Sequence, residues 1–233
     1  MNATIERTLN SYGGRDFWTN AKTINAIASV TGLAFKMKHR PFFERVQIQM
    51  DIHQPVSRIT PIGRTPGISG ILNQHDVRLE NEAGETIAER ADARRFFPYG
   101  RRLFYWDDLD MAYFANYAFW NYFTFPALLM RPDIHWQESV PGKLAANFPD
   151  TVPTHSRRQE FYIDAETGLL KQHNYAANVI SKLAYAANVV HEHAQADGIP
   201  YVARRIVTPQ GFSGKPLRGP VLIDIRVHAL RIY

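Results

Sequence analysis

Hydrophobic and polar positions alternate over several stretches of the chain, and each stretch predicts a strand. Phe42, Val46, Ile48, Met50 and Ile52 share one register, while Phe43, Arg45, Gln47, Gln49, Asp51 and His53 share the other. A period of two places one set inward and the other toward water. Pro55, Pro61, Gly63, Pro66, Gly67 and Gly70 then break the chain into turns. Val77 and Leu79 alternate with Arg78 and Glu80. A turn at residues 81–84 and a returning Thr86-Ile87-Ala88 complete a hairpin. A second hairpin runs from Glu160 to Tyr175 around residues 165–168, and further strands are expected at Tyr201–Thr208 and over Val221, Ile223, Ile225 and Val227.

Two stretches follow a helical period instead. Phe17, Ala21, Ile24, Ala28 and Thr31 recur at three- and four-residue spacing, which predicts an N-terminal helix over 15–31 that stops at Gly32. Residues 103–130 hold aromatics at 113, 114, 117, 119, 120, 122 and 123, which encircle a helix. A helix apolar all round is buried on several sides or covers a cavity. Asp107 or Asp108 can cap its start, and Pro126 and Pro132 punctuate its end. Residues 176–197 stay open between helix and strand, because their alanines favour one and their alternating valines and histidines the other. The pattern predicts an α+β chain, mostly antiparallel sheet, as one domain over 1–233 with a helical lid insert at about 103–132.

Composition narrows the function. The chain has 233 residues, 45% of them hydrophobic and 21% charged, enough to bury a core without covalent staples. It has no cysteine, which excludes disulfides, thiolate nucleophiles and Cys-ligated zinc. The net charge of +5 is scattered in Arg pairs with no basic block, so nucleic acid is not the expected partner. The apolar run from Met111 to Met130 contains Asn116 and Asn121 and is rich in Tyr and Trp rather than Leu, Ile and Val, so stable membrane insertion is not expected. The N-terminal residues show no signal-peptide run, from which the expected location is cytoplasmic.

The hairpin Phe161-Tyr162-Ile163-Asp164-x-x-Thr167-Gly168-Leu169-Leu170 resembles one in lipoprotein-carrier proteins of the LolA and LppX type. The resemblance implies a curved antiparallel sheet, an unclosed half-barrel, with helices over its open side and an apolar cavity between. Trp106-Asp107-Asp108-Leu109-Asp110, Tyr113-Phe114, Trp120-Asn121-Tyr122, Thr154-His155-Ser156-Arg157 and Asp197-Gly198-Ile199 with Arg204-Arg205 further resemble a bacterial group of unassigned function.

Three sets of residues could carry chemistry. His155 can move protons near neutral pH and Arg157 can grip a carboxylate; the alternative is a turn histidine beside surface ion pairs. Asp107 and Asp108 could divide acid and base roles, or simply cap the helix. His191 and His193 share a strand face with His173 elsewhere, but no spacing fixes a third ligand, so no metal site is expected. No Walker loop, nucleophile elbow or Rossmann fingerprint occurs, and no cofactor is implied. Tyr105, Trp106, Tyr113, Tyr117, Trp120, Asn121, Phe123, Tyr162 and His173 are the expected ligand contacts, because a few polar tips among apolar walls line small-molecule sites. Trp120→Ala is expected to weaken binding more than folding.

Two functions fit. The first is a binding protein enclosing a lipid-like or polyketide-like molecule in a half-barrel cavity. The second is a cofactor-independent cyclase or isomerase using acid–base groups in the same cavity. A homo-oligomer is compatible with either.

Overall fold

A computed structural model describes residues 2–233. Two short helices, α1 (Ala3–Ser11) and α2 (Arg15–Asn20), precede strand β1 (Thr23–Thr31), and helix α3 (Leu33–Met37) leads into β2 (Phe43–Asp51). Strands β3 (Val56–Thr60), β4 (Ser69–Asn73), β5 (Asp76–Glu80) and β6 (Thr86–Arg90) follow as a meander. Two 3-10 turns lead to helices α4 (Asp108–Phe123) and α5 (Phe125–Leu128). A second meander then runs through β7 (His135–Val140), β8 (Lys143–Asn147), β9 (Arg158–Ile163), β10 (Leu170–Ala176), β11 (Tyr185–Ala196), β12 (Ile199–Pro209) and β13 (Ile223–Ile232).

Among the described residues, thirteen strands make one sheet in the order β6-β5-β4-β3-β2-β1-β13-β12-β11-β10-β9-β8-β7. Every neighbouring pair is antiparallel, and the sheet does not close. The pairing of β1 with β13 joins the two meanders at the centre. Strands β6 and β7 are therefore the two edges, and the chain between them has to cross the open side. That crossing carries α4, so topology alone puts this helix over the sheet. Pro126 lies in the first turn of α5, where its missing N–H is harmless.

Register shifts at β1–β2, β1–β13 and β11–β12 bend the sheet. One of them corrects the reading of β2. Arg45 has a left-handed φ of 50°, and Glu44 and Arg45 together occupy the wet side. Phe43 is thereby turned inward opposite Val30, while Phe42 is exposed.

The helix expected over 15–31 is also corrected. Only Arg15–Asn20 is helical, and Thr23–Thr31 is the central strand, with Ile24, Ala26, Ala28 and Val30 buried in alternation. Residues at 21, 24, 28 and 31 satisfy a helical period by coincidence, whereas the β-branched Thr23, Ile24, Ile27, Val30 and Thr31 fit a strand paired on both sides. The N-terminal helix is instead α1, where the Asn2 side chain accepts from the N–H groups of Thr4 and Ile5. The ambiguous stretch 176–197 resolves into a turn and then β11.

Candidate functional site

Helix α4 begins at a tight ionic knot. Asp107 caps it and accepts from Asp110 N at 2.7 Å, while the Asp110 carboxylate accepts from Asp107 N at 3.2 Å. Asp110 is fully buried and receives Arg90 at 2.6 Å, Arg101 at 2.9 Å and Arg102 at 2.6 Å. Asp108 pairs with Arg40. Burial opposes the charge on Asp107, but Arg90, the Asp110 N–H and the nearby Arg101 outweigh it and hold the carboxyl well below the usual carboxylate range. These aspartates fasten the start of the helix and do not line the cavity beside it.

From that anchor the helix presents two different faces. Ala112, Asn116 and Trp120, four residues apart, point at the first meander. Asn116 donates to Gly70 O at 3.0 Å and accepts from Ser57 Oγ at 2.8 Å, and Trp120 donates to Asp51 O at 2.8 Å. A Cβ on Gly70 would stand 2.7 Å from the Ala112 methyl, so the glycine sets how closely helix and strand approach. Met111, Phe114, Ala115, Ala118, Phe119 and Tyr122 make the other stripe and face a cavity of about 310 Å³. Its remaining walls are Phe35 and Met37 of α3, Val30 and Phe43, and the inner faces of β10 to β13 through Tyr175, Ala186, Val207 and Ile225. Alanines on both sides, at 115, 118, 177, 184 and 186, leave the space open. Exposed Met37, Leu183 and Tyr185 rim the mouth.

A buried polar cluster closes the inner end. His155 Nε2 bonds Tyr122 Oη at 2.8 Å, its Nδ1 faces Tyr117 Oη at 3.3 Å, and its ring stacks on Tyr175 at 3.8 Å. Tyr122 and Tyr175 share a 2.6 Å hydroxyl contact. His173 bonds Gln159 Oε1 at 2.6 Å and stacks on Phe161. Burial, reinforced by Arg94, holds the His155 pKa well below its ordinary value, and burial with His155 and Arg205 does the same for His173. Burial raises the phenols of Tyr117, Tyr122 and Tyr175. The cluster is accordingly neutral near pH 7, apart from Arg205, whose guanidinium lies 4.5 Å from the Tyr122 ring centre.

The expected site residues are only partly gathered here. His155 lines the cavity, and Tyr117 and His173 stand directly behind its wall. Tyr113 instead bonds His75 at 3.0 Å, and Asn121 donates to Tyr117 O and Pro153 O. Trp120 belongs to the packed face, Trp106 stacks edge-on against Phe97, and Phe123 borders a small separate void. Tyr105 is 45% exposed. Tyr162 lies on the outer face, donating to Glu160 at 3.0 Å, and exposed Arg157 pairs with Asp150 at 3.2 Å. Sequence reasoning missed Phe114, Phe119, Tyr122, Tyr175 and Arg205. The i, i+3, i+4 spacing from 111 to 122 was the available signal for the helical ones.

Solved structures share this architecture along almost the whole chain. A LolA superfamily protein from Nitrosomonas europaea matches with a TM-score of 0.51 at 12% identity, covering 99% of this chain and 94% of its own. The fold is LolA-like. A DUF1329 family protein from Desulfovibrio piger gives a TM-score of 0.52 at 12% identity over 98% of this chain and 91% of that one. A domain from Vibrio parahaemolyticus named for outer membrane lipoprotein sorting gives 0.51 at 10% identity over 98% and 91%. No protein-family model and no curated protein matches the chain. These matches overturn the expectation of a cytoplasmic protein: the solved structures with this fold include a LolA superfamily protein and a domain named for outer membrane lipoprotein sorting. Among the described residues no helix is long and apolar enough to cross a membrane.

Proposed function

We propose that the protein binds one lipid-like or polyketide-like molecule with its apolar part in the cavity between α4 and strands β10 to β13, and acts as a carrier. The observation that supports this best is the apolar lining of that space within a LolA-like fold. Its volume lies at the lower end for small-molecule pockets, which suits one chain rather than several. Displacing water from such walls favours binding by roughly 25 cal/mol per Å² of apolar surface covered. The exposed apolar rim gives a chain an entry route.

No observation favours the cyclase or isomerase alternative. Its candidate acids, Asp107 and Asp108, are tied to arginines away from the cavity, and the buried His155 is held neutral with both ring nitrogens engaged. Native mass spectrometry of the protein purified from its own host tests the proposal. The expected spectrum shows a mass increment that organic extraction removes and that fragments as an acyl or other hydrocarbon-chain compound. Only bare chain, or only a polar metabolite, would contradict it.

A further inference from the structure

Behind the inner wall of the cavity, two buried side chains carry polar nitrogens that no hydrogen bond satisfies among the described residues, and Arg205 has only the face of the Tyr122 ring against its guanidinium. Arg205 is 2% exposed, its Nη2 has no hydrogen bond, and the groups acting on its charge are the phenols of Tyr122, Tyr12 and Tyr175 rather than carboxylates. Asn188 is fully buried, and neither its amide oxygen nor its amide nitrogen makes a hydrogen bond of ordinary geometry, although the amide lies near enough to the Tyr122 hydroxyl to act on it. The sheet register sets them diagonally across neighbouring strands, with Arg205 opposite Val190. Asn188 pairs with Val207 and sits two residues along β11 from Ala186; Arg205 pairs with Ile225 and sits two residues along β12 from Val207. Ala186, Val207 and Ile225 all line the cavity, so both polar groups continue the same inner face one step deeper. Tyr122 marks the boundary, since it borders both the main cavity and a void of about 20 Å³ behind it.

Native interiors leave few such groups unpaired, and a buried cation without a counter-charge is destabilising. Arg40 Nε and single atoms of Thr8, Asn25, Asn121 and Thr208 are also unbonded, but Arg40 faces the Asp108 carboxylate, and other buried cations likewise meet a counter-charge or carbonyl acceptors. Arg90, Arg101 and Arg102 all reach Asp110, and buried Lys38 donates to Arg102 O and Leu103 O. Arg205 departs from that pattern at the end of an apolar cavity, where a bound molecule would place its head.

We propose that Arg205 and Asn188 form an anion-recognition point, so that the ligand is an amphiphile with an acidic head, such as a carboxylate, held head-inward beside Tyr122 and Tyr175. The carboxylate supplies the acceptors that Arg205 Nη2 and Asn188 Nδ2 lack, and the alkyl chain runs past Phe119, Val207 and Ile225 toward the rim. Recognition of this kind is charge-assisted and discriminates sharply between an acid and its neutral analogue. The inference rests on the proposed chain-binding role, and its test separates the two.

Dodecanoate and 1-dodecanol have the same chain length and differ in the head. Each is titrated calorimetrically, below its aggregation limit at pH 8, into the wild-type protein and into Arg205→Met, which keeps an unbranched apolar stem and removes the guanidinium charge. The wild type is expected to bind dodecanoate about tenfold or more tighter than dodecanol, and Arg205→Met to lose that preference while still binding dodecanol. Equal affinity of the wild type for both ligands, or an equal loss of both in the variant, would overturn the acidic-head assignment and leave chain binding standing. Binding of neither ligand by the wild type would overturn both. The wild-type comparison decides the matter even if the variant does not fold.

Discussion

The two sides of helix α4 meet the same sheet in opposite ways. Toward β2, β3 and β4 the helix is in direct contact, through Ala112 against Gly70, Asn116 bonded to Ser57 and Gly70, and Trp120 bonded to Asp51. Toward β10 to β13 it stands off across a cavity walled by alanines and a few large rings. On the packed side the polar atoms that reach the interior find partners, which fixes the helix in one position. On the open side Arg205 and Asn188 keep unpartnered atoms. One side of the helix is a fixed attachment, and the other is a roof. The contrast shows that an aromatic helix can be core and cavity wall at once, divided by helical phase.

Substitutions on each side would sharpen or break this contrast. The largest effect is expected from Trp120→Ala, which empties a fully buried site and removes the bond to Asp51 O. Denaturant unfolding should show a loss of about 3–5 kcal/mol. This reverses the expectation from sequence that Trp120 is chiefly a ligand contact; a folded, fully stable variant that no longer binds dodecanol would restore it. A smaller loss, about 1–3 kcal/mol, is expected for Gly70→Val, which drives a side chain into Ala112 and pushes α4 off β4. Unchanged stability would mean that the packed face is looser than its 2.7 Å approach implies. Ala118→Trp should have the smallest effect on stability, within about 1 kcal/mol, because the new ring enters existing space. It should nevertheless abolish dodecanol binding in a calorimetric titration. Retained binding would move the ligand out of this cavity.

Much of the sheet was legible from alternation, which β2, β9 and β13 show in their burial, whereas β6, with no buried residue, was legible only as the returning arm of a hairpin. Strand β1 was not, because alanines at 21, 26 and 28 suit either period and only pairing with β2 and β13 decides between them. Strands β7 and β8 lie toward one edge, and β7 is largely exposed, so it shows little contrast between its faces. The resemblance of the Phe161–Leu170 hairpin identified the architecture. The site was less legible. The aromatic stretch was correctly read as a helix over the open side, but aromatics encircle it, and composition cannot tell which rings face a strand and which face empty space. The residues that separate the two faces are small ones, Gly70, Ala112, Ala115 and Ala118, which draw no notice in a search for chemistry. Arg205 was visible as one of an Arg pair; its neighbour Arg204 meets Asp224 at 3.0 Å while Arg205 is turned inward, a difference only the strand register reveals.

The most direct test of a chain-binding cavity under α4 is a crystal structure of the protein grown with 12-bromo-1-dodecanol, with the bromine located by anomalous scattering. The account predicts one bromine peak within the space bounded by Phe119, Tyr122, Val207 and Ile225, or at its rim near Leu183 and Tyr185, with density for the chain continuous between. A peak only in the groove on the outer face of the sheet, beside Gln47, Gln49 and Arg58, or no bound chain at all, would contradict it.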